Sequence, residues 1–237
     1  MLLSDVDILD AIKEGHIVID NFNKANLQPA SYDLRLGKYG IITKSISIEE
    51  LKEKISKEEV KEKDIEKERS MTLPAGSFAL VTTLEGLKFS TSYAGHLGAK
   101  SYYTRKGLAL LSGLQVDPGF EGIIVLGFAN LSPRTITIEY ADPICTLEIH
   151  KLNKPSSKPY EGRVLLEQKE GKIPIEDKDY LRTIETMSIS DLTRALVNLS
   201  DNVADATKMF KWMYPTLVAA VFAAIASIIS VLVALLK

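Results

Sequence analysis

The residues with the most chemical reach lie close together in the chain. Asp117 stands in Val116-Asp117-Pro118-Gly119-Phe120-Glu121-Gly122, with Lys100-Ser101-Tyr102-Tyr103-Thr104-Arg105 before it and Ile123-Ile124-Val125-Leu126-Gly127-Phe128-Ala129-Asn130 after it. A carboxylate can take a proton from water and act as a general base. An Asp-Pro-Gly sequence is also a common hairpin corner, in which the Asp side chain bonds turn backbone. Local sequence leaves both roles open for Asp117. The run after it, Ile123 to Asn130, holds no second acid.

Other chemistries are excluded early. Cys145 is the only cysteine, so no intramolecular disulfide framework exists and a reducing compartment suits the chain. Three scattered histidines, His16, His96 and His150, do not make a zinc site with one cysteine. A formal net charge of −2 gives no reason to expect a nucleic-acid partner.

The elements that must position these residues are mostly strands. Met71 to His150 is divided by turn signals at Pro74-Ala75-Gly76, Asp117-Pro118-Gly119, Ser132-Pro133 and Asp142-Pro143. Runs such as Ser77 to Thr83 and Thr135 to Tyr140 are β-branched and partly alternating, which predicts a sandwich or barrel of short strands. Ser4 to Gly15 reads as a capped helix and His16 to Phe22 as extended. Leu34 and Leu36 alternate with Asp33 and Arg35, as on a strand. The Lys- and Glu-rich stretch from Glu49 to Arg69 reads as a solvated helix or insertion. Leu152 to Asp179 reads as an ordered tail or lid.

The C-terminal part is of another kind. Ile189, Leu192, Leu196, Leu199, Val203, Ala206 and Phe210 recur at spacings of three and four, a heptad seam that predicts a coiled-coil stalk. Ser188 with Asp191 can form a capping box. Thr216 to Leu236 is uncharged and long enough to cross a hydrocarbon core of ~30 Å. Trp212 and Tyr214 at its near edge, with Lys208 and Lys211 before them, predict a single-pass anchor and a cytoplasmic N-terminal domain. The N-terminus has no basic region of the kind that opens a signal peptide. The expected organisation is a β domain over 1–178 with a charged insertion at about 45–70, a linker and stalk helix over 179–212, and an anchor over 213–237.

Four stretches resemble the trimeric dUTPase and dCTP deaminase superfamily. Gln28-Pro29-Ala30-Ser31-Tyr32-Asp33-Leu34-Arg35-Leu36-Gly37 is similar to the deaminase signature QPxSxDLRLG, and Val116 to Gly122 to IDPGFEG. Lys100 to Leu108 is similar to the phosphate-binding RSSxARxGL, and Ile144-Cys145-Thr146-Leu147 to the late strand ICQL. The resemblance covers about residues 1 to 170. It implies a distorted β-barrel jelly-roll, a homotrimer, and active sites at subunit interfaces. It further implies that Asp117 handles the attacking water, and that Lys100, Ser101 and Arg105 hold phosphates. Gly119 and Phe120 belong to the hairpin that reads the base, Tyr160 to a closing lid, and Tyr32 or another aromatic to the sugar. Mg²⁺ would be held through the nucleotide phosphates and water, with no protein ligand.

The same resemblance separates the reactions. Deaminases carry a catalytic Glu where this chain has Gly127, whereas dUTPases tolerate a small residue there. The expected function is therefore a membrane-tethered dUTP diphosphatase rather than a dCTP deaminase. Lys100, Tyr102 and Thr146 also depart from the motifs, and with the anchor they keep a second reading open: an inactive trimer serving as nucleotide sensor or membrane-bound scaffold.

Overall fold

The computed structural model describes residues 1–45, 62–161, 171–183, 185–186 and 189–235. Its strands are β1 (Ile17–Ile19), β2 (Leu27–Gln28), β3 (Ser31–Ile42), β4 (Lys44–Ser45), β5 (Lys63–Asp64), β6 (Ser70–Leu73) and β7 (Phe78–Phe89). They continue as β8 (Tyr93–Ala99), β9 (Leu108–Leu110), β10 (Gln115–Val116), β11 (Glu121–Asn130), β12 (Ile136–Glu139), β13 (Pro143–Lys151) and β14 (Glu185–Thr186). The expected β-rich architecture is present. The main sheet runs β10-β8-β13-β3-β7-β11-β9, with β1, β2 and β5 at its sides. Its two ends, β10 and β9, are consecutive strands joined by a short loop, so the sheet curls back toward itself.

β3 makes the bend. Its first half pairs with β13 through Tyr32 to Arg35, and its second half with β7 through Gly40 to Ile42. The register shifts between Leu36 and Gly40. Gly37 sits at that shift, where an added Cβ would lie 2.5 Å from the Thr83 carbonyl oxygen. Only glycine permits backbones to approach so closely. Tyr32, Leu34 and Leu36 are fully buried on the inward side, each contributing roughly 1.5–3 kcal/mol of transfer free energy. Tyr32 stacks on Phe22 at 5.2 Å, and its hydroxyl accepts the Asn23 N–H. The ring is a core group, which corrects the expectation that it packs on a sugar.

The N-terminal helix spans Asp5–Lys13, with Ser4 and Asp7 closing a capping box. The charged insertion is less solvated than its composition suggests. Residues 46–61 lie outside the described residues, but Ile65 opens a short helix (Ile65–Glu68) and is completely buried. A helix at Ile175–Thr183 begins within the stretch that the sequence reads as an ordered tail or lid. Leu181 and Ile173 join Ile41 in a second small apolar cluster that also takes in Phe78 and Leu80. The chain divides into two compact units, Met1–Ser190 and Asp191–Lys237. The second is carried by one continuous helix, Ile189–Leu235, that contains Pro215. It is long and apolar enough to cross a membrane. The cap expected from Ser188 lies outside the described residues.

Candidate functional site

The Asp-Pro-Gly corner is a tight turn. The Phe120 N–H donates to the Asp117 carbonyl at 3.1 Å, and Gly119 has φ +86°, the left-handed conformation a type II turn needs after proline. The carboxylate itself is not consumed by the turn backbone. It accepts a hydrogen bond from Gln115 Nε2 at 2.7 Å and stays partly exposed. The segment after β13 returns to this turn. The Tyr160 N–H donates to the Pro118 carbonyl at 2.7 Å, and the Tyr160 ring lies 5.5 Å from the ring of buried Phe120. A Cβ on Gly119 would meet Pro159 Cβ at 2.9 Å. Asp117, Gly119, Phe120 and Tyr160 are therefore brought together within one chain.

The arm from Lys100 to Lys106 is elsewhere. A short helix, Ser101–Thr104, buries Tyr103 and leaves Ser101, Tyr102 and Arg105 exposed. Ser101 and Arg105 are four residues apart, so hydroxyl and guanidinium share a helical face. Tyr103 donates its hydroxyl to Asp142 Oδ2 at 2.7 Å; burial first, then this bond, raises its pKa. Tyr102 is 55% exposed and carries the Lys106 ammonium 3.8 Å from its ring centre, with a 2.6 Å bond to its hydroxyl. Lys100 reaches back across β13 and donates to Asp33 Oδ2 at 2.7 Å, while Thr146 Oγ1 donates to Asp33 Oδ1 at 3.1 Å.

The distance between turn and arm follows from register. Gln115 pairs with His96 and Val116 with Gly95, which sets Asp117 level with Ala94. Lys100 lies six residues farther along the strand direction, or about 20 Å at ~3.4 Å per residue. Asp117 and the arm are at opposite ends of β8.

At position 127 an added side chain would meet apolar groups, while the Gly127 N–H donates to Ser112 Oγ at 2.5 Å. Gly127 is buried on β11, and a Cβ there would sit 3.0 Å from Phe78 Cζ and 3.5 Å from Leu80 Cδ2. Cys145 offers no nucleophile, because burial pushes its thiol up to about 12. Glu85 is fully buried and its carboxyl is raised by desolvation, although Arg35 opposes this with bonds from its backbone N–H at 2.8 Å and its Nε at 2.6 Å. That pair braces the bend in β3 and lies in the core. No cluster of three or more His, Cys, Asp or Glu able to hold a metal occurs among the described residues.

Residues 2–152 match the family model described as dCTP deaminase-like. The chain belongs to the dCTP deaminase-like family. Among curated proteins of this family, it is 34% identical over 147 residues to a dCTP deaminase of Thermococcus sibiricus, covering 62% of this chain and 83% of that protein. It is 30% identical over 184 residues to a dUMP-forming dCTP deaminase of Corynebacterium glutamicum, covering 76% and 97%. The solved 2'-deoxycytidine 5'-triphosphate deaminase of Agrobacterium tumefaciens aligns with a TM-score of 0.49 at 17% identity, over 63% of this chain and 47% of that one.

Four neighbours of the candidate positions escaped the sequence reading in that role: Gln115 beside Asp117, Asp33 beside Lys100, Asp142 beside Tyr103 and Phe78 beside Gly127. The alternation of β3 set Asp33 apart from Leu34 and Leu36, but which cation it meets depends on the β3-β13-β8 pairing. Gln115 carried a fainter signal, two residues before an acid on a strand and so on the same side.

Proposed function

We propose that this chain is a membrane-tethered dUTP diphosphatase-like hydrolase that converts dUTP and water to dUMP and pyrophosphate. The observation that carries the reading is the contrast between Asp117 and Gly127. The first is a partly exposed carboxylate aimed by Gln115 on a fully formed turn; the second is a buried glycine against Phe78. Water can be activated at a phosphate, and no acid stands where ammonia loss would require one. A dUMP-forming relative must lose diphosphate as well as ammonia, so the hydrolytic half of that conversion has precedent in the family.

In this reading Asp117 accepts the proton of a water whose oxygen bonds to the α-phosphorus. The bond from that phosphorus to the bridging oxygen breaks, and pyrophosphate leaves. Ser101 and Arg105 hold the phosphates, the turn at Gly119 and Phe120 faces the base, and Tyr160 covers it. The separation of Asp117 from the arm supports a homotrimer in which one copy supplies the turn and a neighbour the arm. Mg²⁺ held through the nucleotide phosphates and water would neutralise phosphate charge, with no protein side chain as its ligand. The long C-terminal helix supports a single-pass anchor, with Lys208 and Lys211 on the cytoplasmic side and the heptads before them forming a coiled-coil stalk.

A second reading has its own support. Lys100 is neutralised by Asp33 of the same chain, which leaves the arm with one fewer free cation for a triphosphate. That favours an inactive trimer that senses nucleotide or assembles partners at a membrane. The deciding assay incubates the full-length chain in detergent with Mg²⁺ and dUTP or dCTP. Pyrophosphate from dUTP that disappears in Asp117→Asn supports hydrolysis. Nucleotide binding without turnover supports the second reading, and ammonia from dCTP refutes both.

A further inference from the structure

We infer that Lys100 is a positioning residue rather than a phosphate ligand: it pins the phosphate arm to the sheet by neutralising Asp33, and Arg105 is left as the arm's available cation. The inference rests on the reading of Ser101 to Arg105 as the phosphate arm. Asp33 is 3% exposed and sits on β3, where its neighbour across the pairing is Thr146, itself paired with Gly98 of β8. Lys100 follows Gly98 by two residues and so lies on the same face. A Cβ at Gly98 would meet nothing within 4 Å, so the path from Lys100 to Asp33 is open.

A carboxylate taken out of water needs a counter-charge and hydrogen bonds to both oxygens. Lys100 supplies the charge at 2.7 Å to one oxygen, and Thr146 the bond at 3.1 Å to the other. The two departures from the family motifs, Lys100 and Thr146, thus converge on one acid. The backbone agrees. The Lys100 N–H donates to the Ile144 carbonyl at 3.3 Å, and the Lys100 carbonyl accepts from Tyr103 and Thr104 to start the arm helix. Tyr103 fixes the next turn to Asp142. Lys106 is held on Tyr102. Among the described residues, the Arg105 guanidinium has no protein partner and is exposed beside Ser101.

The test uses the full-length chain in detergent and two readouts: thermal midpoint, and the dissociation constant of Mg²⁺ with the α,β-imido analogue of dUTP. Lys100→Met should lower the midpoint by about 5–10 °C, because it strands a buried charge. Adding Asp33→Asn should recover most of that loss and leave nucleotide affinity within about threefold of the unaltered chain. Arg105→Gln should weaken nucleotide binding by at least about tenfold, as loss of charge-assisted bonds does, with the midpoint unchanged. Lys100→Met that weakens binding without moving the midpoint overturns the inference, as does a double variant whose midpoint losses simply add. If the unaltered chain binds no nucleotide, the reading of the arm fails. The coupling of Lys100 to Asp33 in the midpoints then still decides whether the pin exists.

Discussion

Asp117 and Arg105 can be inactivated in separate copies of the chain, and the geometry says what should happen when those copies are mixed. Along β8 Asp117 and Lys100, the first residue of the arm that carries Arg105, lie about 20 Å apart at ~3.4 Å per residue. Asp117→Asn and Arg105→Gln should each lower dUTP turnover, the first by about 10²- to 10⁴-fold through loss of general-base catalysis. In a cyclic trimer each site takes its turn from one copy and its arm from the next. A mixed trimer with two copies of either variant then contains one neighbouring pair with an intact Asp117 and an intact Arg105. Co-expression with two different tags and purification over both isolates such trimers, which should regain about one third of the unaltered rate. A site built within one chain predicts no recovery, since every chain carries a defect. Mixed trimers that pass both tags, sediment as trimers and release no pyrophosphate would refute the two-copy site.

Three further outcomes follow from single contacts. Gly127→Glu should not create a deaminase: its Cβ meets Phe78 at 3.0 Å, so the variant should lose about 1–3 kcal/mol in urea melts and release no ammonia from dCTP. Ammonia above background would mean that the apolar surroundings do not matter. Gly119→Ala must carry φ +86° and press on Pro159, at a cost of about 1–3 kcal/mol, and should speed amide exchange at Tyr160 N–H. Unchanged protection there would count against a turn and tail that close together. Arg35→Met should cost about 3–5 kcal/mol at pH 7, because Glu85 is left buried without its partner. Burial holds the Glu85 carboxyl above its ordinary 4.5, so as pH falls the folded state takes up the proton first. Stability tied to this group is lost as pH rises through the folded value and regained as pH falls toward 4.5. The deficit of the variant should therefore shrink between pH 7 and pH 5 in urea titrations; a deficit independent of pH would show that Glu85 is not the cause.

Particular residues show how much was legible before the fold. The alternation of Leu34 and Leu36 with Asp33 and Arg35 was enough to make a strand, and the turn residues around Pro118 were enough to make a corner, because both follow from local sterics and period. The helix cap at Ser4 and the long apolar helix are local in the same way. The family resemblance named Asp117, Ser101 and Arg105 in motif order without saying where they stand relative to one another.

Long-range pairing decided the rest. Composition made Glu49 to Arg69 look solvated, yet Ile65 is in the core, since Leu51, Ile55, Val60 and Ile65 at spacings of four and five in a charged run do not say which of them meets the sheet. Tyr32 was free to be a ligand-facing ring until Phe22 and Asn23 enclosed it. Lys100 read as a phosphate cation until strands β3, β13 and β8 set Asp33 within 2.7 Å of it. The sequence by itself determined a β-rich domain of short strands, a corner bearing a carboxylate, a glycine where the deaminase resemblance places an acid, and a helix able to cross a membrane. Only the tertiary structure decided which charges face each other and that Asp117 and its arm lie at opposite ends of one strand. Such facts depend on contacts between residues far apart in the chain, which no local period or propensity encodes.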